Sequence, residues 1–248
     1  MITIKSSKEI EKMRAAGKIT GDALREIEKH IKPGVSTAEL DKIAYNFIIS
    51  KGATPSFLHY NGFPGSICAS PNDWVVHGIP SKDVVLAEGD IISIDMGACK
   101  DGYHGDAART YAVGKISDEA QKLIDVTKQS FFEGIKQVVH GAKLGDVSAA
   151  IQEYVEMNGY SVVRDLVGHG IGKNLHEDPN VPNFGHKGKG VKLAQGMTLA
   201  IEPMVNAGEY DVCVLEDDWT VVTEDGSLSA HYENTILVTK DGCEILTL

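Results

Sequence analysis

Two stretches of the chain repeat one another, and each ends in a carboxylate. The decapeptides LAEGDIISID and LAQGMTLAIE share Leu-Ala, an acid or its amide, a glycine and an apolar run, and they end in Asp95 and Glu202. Asp106 follows the first repeat, and Glu233, which opens the next long apolar segment, matches it in the second. Because carboxylates bind hard and borderline cations, two repeats that bring these residues together would build a metal centre suited to hydrolysis.

The charge of such a centre calls for bound cations. Carboxylates that share a partly buried pocket raise each other's pKa and repel one another unless cations neutralise them. Two divalent ions would balance the four acids. His169 is the predicted fifth ligand, because the glycines on both sides of it in VGHGIG permit a close backbone approach. A histidine among carboxylates favours Mn, Fe, Co or Zn over Ca.

Two further histidines have several readings from the sequence. His77 lies in VHGIP and His176 in LHEDP, and each is a candidate ligand, an acid–base group or an ordinary loop histidine. One alternative combines His169, His176 and one aspartate into an iron site of two histidines and one carboxylate. That arrangement leaves the repeated acids without a role, whereas a two-metal hydrolase uses all of them.

Helices that begin at capping boxes are predicted to support these strands. The segments SSKE at 6–9 and STAE at 36–39 have the serine-to-glutamate spacing of a capping box. The first helix is predicted to run to Pro33-Gly34 and the second to end near Gly52. The repeat predicts two matching helices, with cores at Leu123–Val139 and Val147–Met157. Apolar patterning predicts strands at Ile91–Met96, Ala107–Val113, Thr198–Glu202, Val212–Leu215, Thr220–Thr223 and Tyr232–Thr239.

The first two acids are predicted to face each other in a hairpin. Alternation along the strand places Asp95 on one face, and the segment Lys100-Asp101-Gly102 supplies the chemistry of a turn. The returning strand carries Asp106 on one face together with Ala108 and Thr110. Asp95 and Asp106 can therefore lie side by side.

Length and composition fit a single catalytic domain, 1–248, built from pseudo-repeat halves at roughly 5–113 and 114–240. A formal net charge of -11 disfavours binding to nucleic acid, which normally requires a basic face. The apolar runs are too short to cross a bilayer, and the first residues lack the apolar core of a signal peptide, so the cytoplasm is the expected compartment. The widely spaced cysteines predict reduced thiols: Cys68, Cys99, Cys213 and Cys243.

In their order and in their neighbours, these residues resemble the type I methionine aminopeptidases over essentially the whole chain. The local matches are SIDMG around Asp95, GDAART around Asp106, GHGIG around His169 and AIEP around Glu202. The resemblance implies the pita-bread fold, an α/β fold of two pseudo-symmetric halves in which helices cover antiparallel sheet. It also implies an enzyme that removes the N-terminal methionine of nascent proteins, preferentially when the second residue is small.

The resemblance assigns a role to each predicted ligand. Asp95 would chelate one divalent ion, and His169 and Glu202 would bind the other. Asp106 and Glu233 would bridge both ions. A metal-bridged hydroxide would attack the scissile carbonyl, and Glu202 would accept and return a proton. The metals would be Co, Mn, Fe or Zn, and the sequence does not choose among them.

The remaining site residues are also implied by the resemblance. His176 would donate toward the carbonyl oxygen, and His77 would contact the backbone beyond the scissile bond. The methionine side chain would occupy an apolar pocket, because a thioether gains mostly from dispersion and contact with aromatic rings. The residues expected to line that pocket are Tyr60, Phe63, Cys68 and Trp219. The implied partners are N-terminal methionine peptides and the ribosome, with no membrane or specific nucleic acid, and the chain is expected to be a monomer.

Two positions depart from common family patterns, and three rival classes remain to be compared. Phe57 stands where many bacterial relatives have cysteine, and Leu175 stands where many have phenylalanine, which affects the fine shape of the pocket. The Xaa-Pro peptidases have a large extra domain, the type II enzymes have a helical insertion, and non-catalytic binding homologues usually lack metal ligands. The positions that match the monovalent-cation region of the family are Asn72, Trp74 and Ser229.

Overall fold

The computed structural model describes residues 1–248 and contains four α-helices, fifteen short strands and a 3-10 turn at Tyr60–Gly62. The helices are α1 (Ser7–Glu28), α2 (Thr37–Ser50), α3 (Asp118–Ile135) and α4 (Leu144–Met157). The strands of the first half are β1 (Thr54–Pro55), β2 (Ile67–Pro71), β3 (Trp74–Val76), β4 (Ile91–Lys100) and β5 (Tyr103–Ala112). The later strands are β6 (Ser161–Val162), β7 (Gly168–Gly170), β8 (Glu177–Val181), β9 (Thr198–Ile201), β10 (Met204–Asn206), β11 (Val212–Val214), β12 (Val221–Thr223), β13 (Ser229–His231), β14 (Asn234–Val238) and β15 (Cys243–Ile245).

The predicted helix starts are confirmed, and two predicted helix ends are wrong. Glu9 and Ser6 form the capping box that opens α1, and Glu39 and Ser36 form the one that opens α2. Helix α1 stops at Glu28, before Pro33-Gly34, and α3 stops at Ile135, before Val139. Beyond each helix end, backbone N–H groups donate to carbonyls three residues back, at 29–31 after α1 and at 137–138 after α3, so each helix closes in tight turns.

The predicted hairpin is confirmed, and its two strands are longer than expected. Strand β4 pairs with β5 over their whole length, and Asp101 and Gly102 both have positive φ in the turn between them. Asp95 stands opposite Ala108, and Asp106 stands opposite Gly97. Because residues two apart share a face, Asp95 and Asp106 lie on the same face as diagonal neighbours.

The second carboxylate pair comes from a five-stranded sheet of order β15-β14-β9-β7-β8. The predicted strand Tyr232–Thr239 begins two residues later than expected, at Asn234. Glu233 lies outside the ladder and exchanges backbone hydrogen bonds with Ala108 of β5. The N–H of Glu233 donates to the Ala108 carbonyl at 2.9 Å, and the return bond measures 3.4 Å. This exchange joins the two carboxylate-bearing sheets at the level of the acids.

The sequence repeat also appears as a repeat of backbone hydrogen bonds. Gly34 N–H donates to the Leu86 carbonyl at 2.7 Å, and Gly141 N–H donates to the Leu193 carbonyl at 2.8 Å. Both glycines have positive φ, 89° and 97°, which is a conformation that other residues adopt only with strain. The matching turns join each helical layer to the strand that delivers its acid.

Helix α1 approaches the hairpin at a distance that only glycine allows. A Cβ atom on Gly105 would lie 2.7 Å from the backbone of Gly17 in α1. Nearby, Thr20 Oγ1 donates to the Gly105 carbonyl at 3.1 Å and accepts from the Ala98 N–H at 3.1 Å. The helix therefore supports the strand directly beside Asp106.

Two smaller sheets, of order β13-β10-β6 and β11-β12-β3, complete the fold. None of the helices combines the length and the apolar character needed to span a bilayer. All four cysteines are free thiols, as predicted.

Candidate metal centre and active site

A cavity of about 260 Å³ lies where the two carboxylate-bearing sheets meet. Its walls contain every residue that the sequence assigned to the site. The polar members are Asp95, Asp106, Glu202, Glu233, His77, His169 and His176, and the predicted pocket residues are Tyr60, Phe63, Cys68 and Trp219. The fold thus brings together residues that are far apart in the sequence.

The first acid pair is buried and incompletely hydrogen-bonded. Asp106 is 3% exposed, and its backbone N–H donates to Thr235 Oγ1 at 2.9 Å. The Thr235 hydroxyl in turn donates to the Asp106 carbonyl at 2.9 Å. These bonds fix the backbone, but Oδ1 of Asp106 and Oδ1 of Asp95 are buried without a hydrogen-bond partner. Buried polar atoms without partners are costly, so both oxygens call for a ligand.

The second acid pair has the same character. Glu202 directly follows β9, and its carbonyl accepts a hydrogen bond from Asn183 Nδ2 at 3.0 Å. Glu233 is 2% exposed, and its Oε1 has no hydrogen-bond partner. Arg109 donates to the Glu233 carbonyl and, at 2.7 Å, to the side chain of Asn234. The backbone at Glu233 is therefore fixed while its carboxylate remains available.

His169 presents a free nitrogen to the acids. Its Nδ1 lies 2.8 Å from the Gly170 carbonyl, which can only accept, so Nδ1 carries the proton. The lone pair is then on Nε2, which lies 3.6 Å from Glu202 Oε1 and 3.8 Å from Asp106 Oδ2. A carbonyl that fixes the tautomer in this way is typical of metal-binding histidines.

Burial and mutual repulsion set the protonation of the centre. Burial raises the pKa of Asp95 to about 7, although hydrogen bonds with Glu233 and Asp106 oppose the shift. Burial also raises the pKa of Asp106 well above its ordinary value, and the negative charges of Asp95 and Glu202 add to this effect. Burial lowers the pKa of His169 to about 3. The protein alone therefore holds its acids in a costly state that bound cations would relieve.

The donor set fits divalent metal ions. Ligand atoms of Asp106, His169 and Glu233 lie within 4.8 Å of one another. Carboxylate oxygens without partners and one imidazole lone pair converge on one small, buried volume. Four carboxylates and one imidazole suit borderline transition metals rather than calcium.

Two histidines stand beside the donors at the mouth of the cavity. The His176 ring lies 4.1 Å from the His169 ring, and its Nδ1 lies 2.9 Å from the Tyr60 hydroxyl. Burial lowers the pKa of His176, and burial lowers that of His77 to about 4, with the charge of His176 contributing. Both rings are therefore neutral near pH 7 and can donate a hydrogen bond from one nitrogen.

Apolar side chains form the other wall of the cavity. The Phe63 and Trp219 rings meet edge to face at 5.1 Å, and Trp219 also contacts the His77 ring at 6.4 Å. Phe57 and Leu175, the two positions that depart from the family pattern, both line the cavity and are 8% and 2% exposed. Aromatic rings and a thiol suit a thioether side chain.

The sequence reasoning missed several contributors. Val76, Leu166, Val167 and Met204 also line the cavity. Nothing in a single sequence distinguishes such apolar residues from core residues. His231 was also missed: it is 1% exposed, both its ring nitrogens lack partners, and its Nε2 lies 3.7 Å from Glu202 Oε2. No signal in the sequence pointed to it, because the predicted strand began at Tyr232 and β13 ends at His231 before Glu233.

Comparison with known proteins agrees with the class that the fold and donors define. Residues 11–240 match the model of metallopeptidase family M24, and the chain belongs to that family. It is 62% identical to a methionine aminopeptidase of Clostridium acetobutylicum, over 100% of this chain and 99% of that protein. It is 55% identical to methionine aminopeptidase 1 of Bacillus subtilis, over 100% and 99%.

The structural comparison confirms the predicted pita-bread fold. The crystal structure of a methionine aminopeptidase from Rickettsia prowazekii superposes with a TM-score of 0.98 at 49% identity, with 100% of both chains covered. The prolidase of Pyrococcus furiosus shares the fold at 22% identity and a TM-score of 0.80, but the match covers only 65% of that chain. The comparisons thus support the resemblance to type I methionine aminopeptidases over the Xaa-Pro alternative.

Proposed function

We propose that this chain removes the N-terminal methionine of peptides by metal-dependent hydrolysis, with a preference for a small second residue. One observation carries the proposal: the five donor residues and an apolar pocket converge on one cavity in a chain that is closely similar to methionine aminopeptidases. The binding-protein alternative gains no support, because no predicted ligand is missing or turned away from the cavity.

The metal sites would use the donors in the way that the resemblance implies. Asp95 would bind one divalent ion, His169 and Glu202 the other, and Asp106 and Glu233 would serve both. The oxygens that lack partners and the free Nε2 of His169 support this assignment. Bound divalent ions supply Lewis acidity, which polarises a carbonyl and lowers the pKa of water.

The protein's own residues would orient the peptide and move its protons. Glu202 lies at the edge of the donor cluster with a side chain 14% exposed, so it can accept a proton and return it to the leaving amine. A Tyr60 hydroxyl that donates to Nδ1 of His176 leaves the imidazole proton on Nε2, which can then donate to the carbonyl oxygen. His77 would contact the peptide backbone beyond the scissile bond.

The apolar wall would select methionine. Tyr60, Phe63, Cys68 and Trp219 would surround the thioether, and Phe57 and Leu175 would complete the wall. Sulfur–aromatic contacts and exclusion of water would favour methionine over polar side chains.

The test is release of methionine by metal-stripped protein, titrated separately with Mn, Fe, Co and Zn. Cleavage of Met-Ala-Ser in the presence of metal, with little cleavage of Met-Leu-Ser, is the expected result. A folded protein that releases no methionine with any of the four metals would overturn the proposal. The same titration would identify the most active metal.

We further propose that the chain acts in the cytoplasm, as a monomer, on nascent chains at the ribosome. The support is the similarity to methionine aminopeptidases, because methionine removal from nascent proteins places the enzyme where those proteins emerge. Co-sedimentation with translating ribosomes would test the ribosomal location, and light scattering of the free protein would test the monomeric state. Absence from the ribosomal pellet, or a dimeric mass, would contradict the respective statement.

A further inference from the structure

A buried ion pair fastens the segment that carries His176. Lys5 Nζ lies 2.6 Å from Glu177 Oε2, and the two side chains are only 5% and 8% exposed. Ion pairs on the surface add little stability, but a buried pair that loses one partner leaves a charge without compensation. The pair therefore fixes Glu177, the residue that directly follows His176.

The Glu177 carboxylate is also held by neutral donors. Thr3 Oγ1 donates to Oε2 at 2.7 Å, and the Asn174 N–H donates to Oε1 at 3.2 Å. Burial alone would raise the pKa of Glu177, but hydrogen bonds from Lys5, Thr3 and Asn174 outweigh it and lower the pKa. The carboxylate is thus ionised and fully engaged near pH 7.

Lys5 is itself anchored to the second sheet and packs against the loop between β7 and β8. Its backbone N–H donates to the Gly196 carbonyl at 2.8 Å, just before β9. A Cβ atom on Gly172 would lie 2.6 Å from both Lys5 Cε and Glu177 Oε1. The loop backbone therefore packs directly against the ion pair.

Glu177 is bonded directly to His176, so a constraint on the Glu177 backbone also constrains the His176 backbone. The ring is placed by the Tyr60 hydroxyl at 2.9 Å and by the backbone at 176–177. The ring also stacks on the Tyr60 ring and lies 4.1 Å from the His169 ring, and the backbone adds a further constraint by fixing the position from which the imidazole projects.

We infer that Lys5 is a positioning residue, which acts through Glu177 to hold the His176 imidazole in the orientation that faces the substrate carbonyl. The inference rests on the proposed function, because the role of His176 belongs to that proposal. Lys5 itself touches neither the cavity nor its donors.

The principal test is a double-mutant cycle on methionine release from Met-Ala-Ser. Lys5→Met keeps the length of the side chain and removes the ammonium, and we expect kcat to fall about 10-fold with KM and bound metal nearly unchanged. In a His176→Ala background the same substitution should have almost no further effect. An equal loss in both backgrounds, or no loss in the first, would overturn the inference.

Lys173→Met is the matched control. Lys173 lies on the same loop and pairs with Glu9, but its Nζ is 3.8 Å from Glu9 Oε1 and its side chain is 69% exposed. This variant should keep the activity of the unmodified protein. Should Lys5→Met fail to fold, Glu177→Gln breaks the same pair while keeping the volume of the side chain, and its thermal unfolding curve would establish folding before the cycle is run.

A second readout is independent of catalysis. The imidazole signals of His176 in the NMR spectrum of the metal-free protein should shift or broaden in Lys5→Met and remain in place in Lys173→Met. Unchanged signals would overturn the inference even if activity fell. If the unmodified protein released no methionine, the proposed function would fail, and the NMR result would still decide whether Lys5 positions His176.

Discussion

The β4–β5 hairpin and the β9–β14 strands deliver equivalent carboxylate pairs by different routes. In the hairpin, ten-residue strands joined by a tight turn hold Asp95 and Asp106 on one continuous ladder. In the second region, β10 to β13 intervene, and Glu202 and Glu233 lie just outside the β9–β14 ladder. The comparison teaches that the uninterrupted copy supplies a continuous support, whereas the interrupted copy has room for further residues that line the cavity.

Much of the difference between the two regions comes from the segment inserted between β9 and β14. The segment between β9 and β14 brings Met204 and Trp219 into the cavity, and His169 and His176 come from the neighbouring β7 and β8 region. From the first half, His77 reaches the same cavity from the residue after β3. The two halves are therefore equivalent in their acids and unequal in their histidines.

The acids are the strictest test of equivalence. Asp106→Asn and Glu233→Gln remove one charge from matching positions, and we expect each to lower methionine release by about 10³-fold, because metal-ion catalysis contributes several kcal/mol. Metal content by elemental analysis should fall in both. Asp101→Asn, in the exposed hairpin turn, is the control and should retain activity. Loss in only one of the two site variants would break the equivalence.

The histidines test the inequality. His176→Ala should lower kcat by about 10² to 10³-fold, the usual cost of removing a donor to a developing oxyanion. His77→Ala should cost less, because its proposed partner is the peptide backbone beyond the reacting carbonyl. Both variants should keep their metal. Loss of metal from either one would instead make that histidine a ligand.

Metal removal should destabilise the shared centre. Ions present at about 100 times their Kd stabilise the folded state by about 2.7 kcal/mol, and here they also relieve the repulsion of the buried acids. The melting temperature after complete chelation should fall and return when metal is restored. Glu233→Gln, with one acid fewer, should show a smaller change. Identical melting curves with and without metal would contradict the proposed role of the acids.

His231 belongs to the second region and lies beside the carboxylate of Glu202. Because its Nε2 faces Glu202 Oε2 at 3.7 Å, His231→Ala should reduce activity or metal affinity by about 10 to 100-fold, as partners of ligating side chains usually do. His231→Gln keeps an N–H donor and should lose less. His30→Ala, in the turn that follows α1 and with a side chain 44% exposed, is the matched control. Equal activity in all three variants would remove His231 from the site.

The smallest expected effect concerns the helix caps, which differ between α1 in the first half and α3 in the second. Glu9 accepts from the Ser6 N–H at 2.9 Å and from the Tyr103 hydroxyl at 2.7 Å, and these bonds lower its pKa to about 2. In α3 the residue three positions after the cap Ser117 is Ala120, so this cap lacks the carboxylate that completes a capping box. Because the folded state lowers the pKa of Glu9, its ionised carboxylate stabilises the protein at pH values above the ordinary pKa of glutamate. This stabilisation is lost as the pH falls toward about 2.

Glu9→Gln should therefore destabilise the protein at neutral pH, and the difference from the unmodified protein should shrink in acid. Urea unfolding at about pH 7 and about pH 3 would measure it. A difference of the same size at both pH values would show that the charge of Glu9 contributes nothing.

Local chemistry explains which features the sequence could predict. Capping boxes, the glycine turns at Gly34 and Gly141 and the hairpin turn all depend on neighbouring residues, and the structure has each of them. The four acids were predictable because the repeat links them, and His169 was predictable from the glycines on both sides of it. The break at Glu233 was not, because it depends on pairing with Ala108, far away along the chain. The end of α1 escaped prediction because its final turn contains no breaker residue, and the end of α3 because the apolar pattern continues past Gly134 to Val139.

The contact between Gly17 and Gly105 limits how this sequence can evolve. Replacing a helical glycine by alanine commonly raises stability by reducing the freedom of the unfolded chain. Here a Cβ on Gly17 would lie 2.4 Å from the Leu246 carbonyl oxygen, and a Cβ on Gly105 would collide with α1. A side chain at Gly105 would push the strand that carries Asp106 away from α1, and a side chain at Gly17 would push α1 away from the segment at Leu246. A randomised library selected for activity should therefore return glycine at both positions, although neither residue touches substrate or metal.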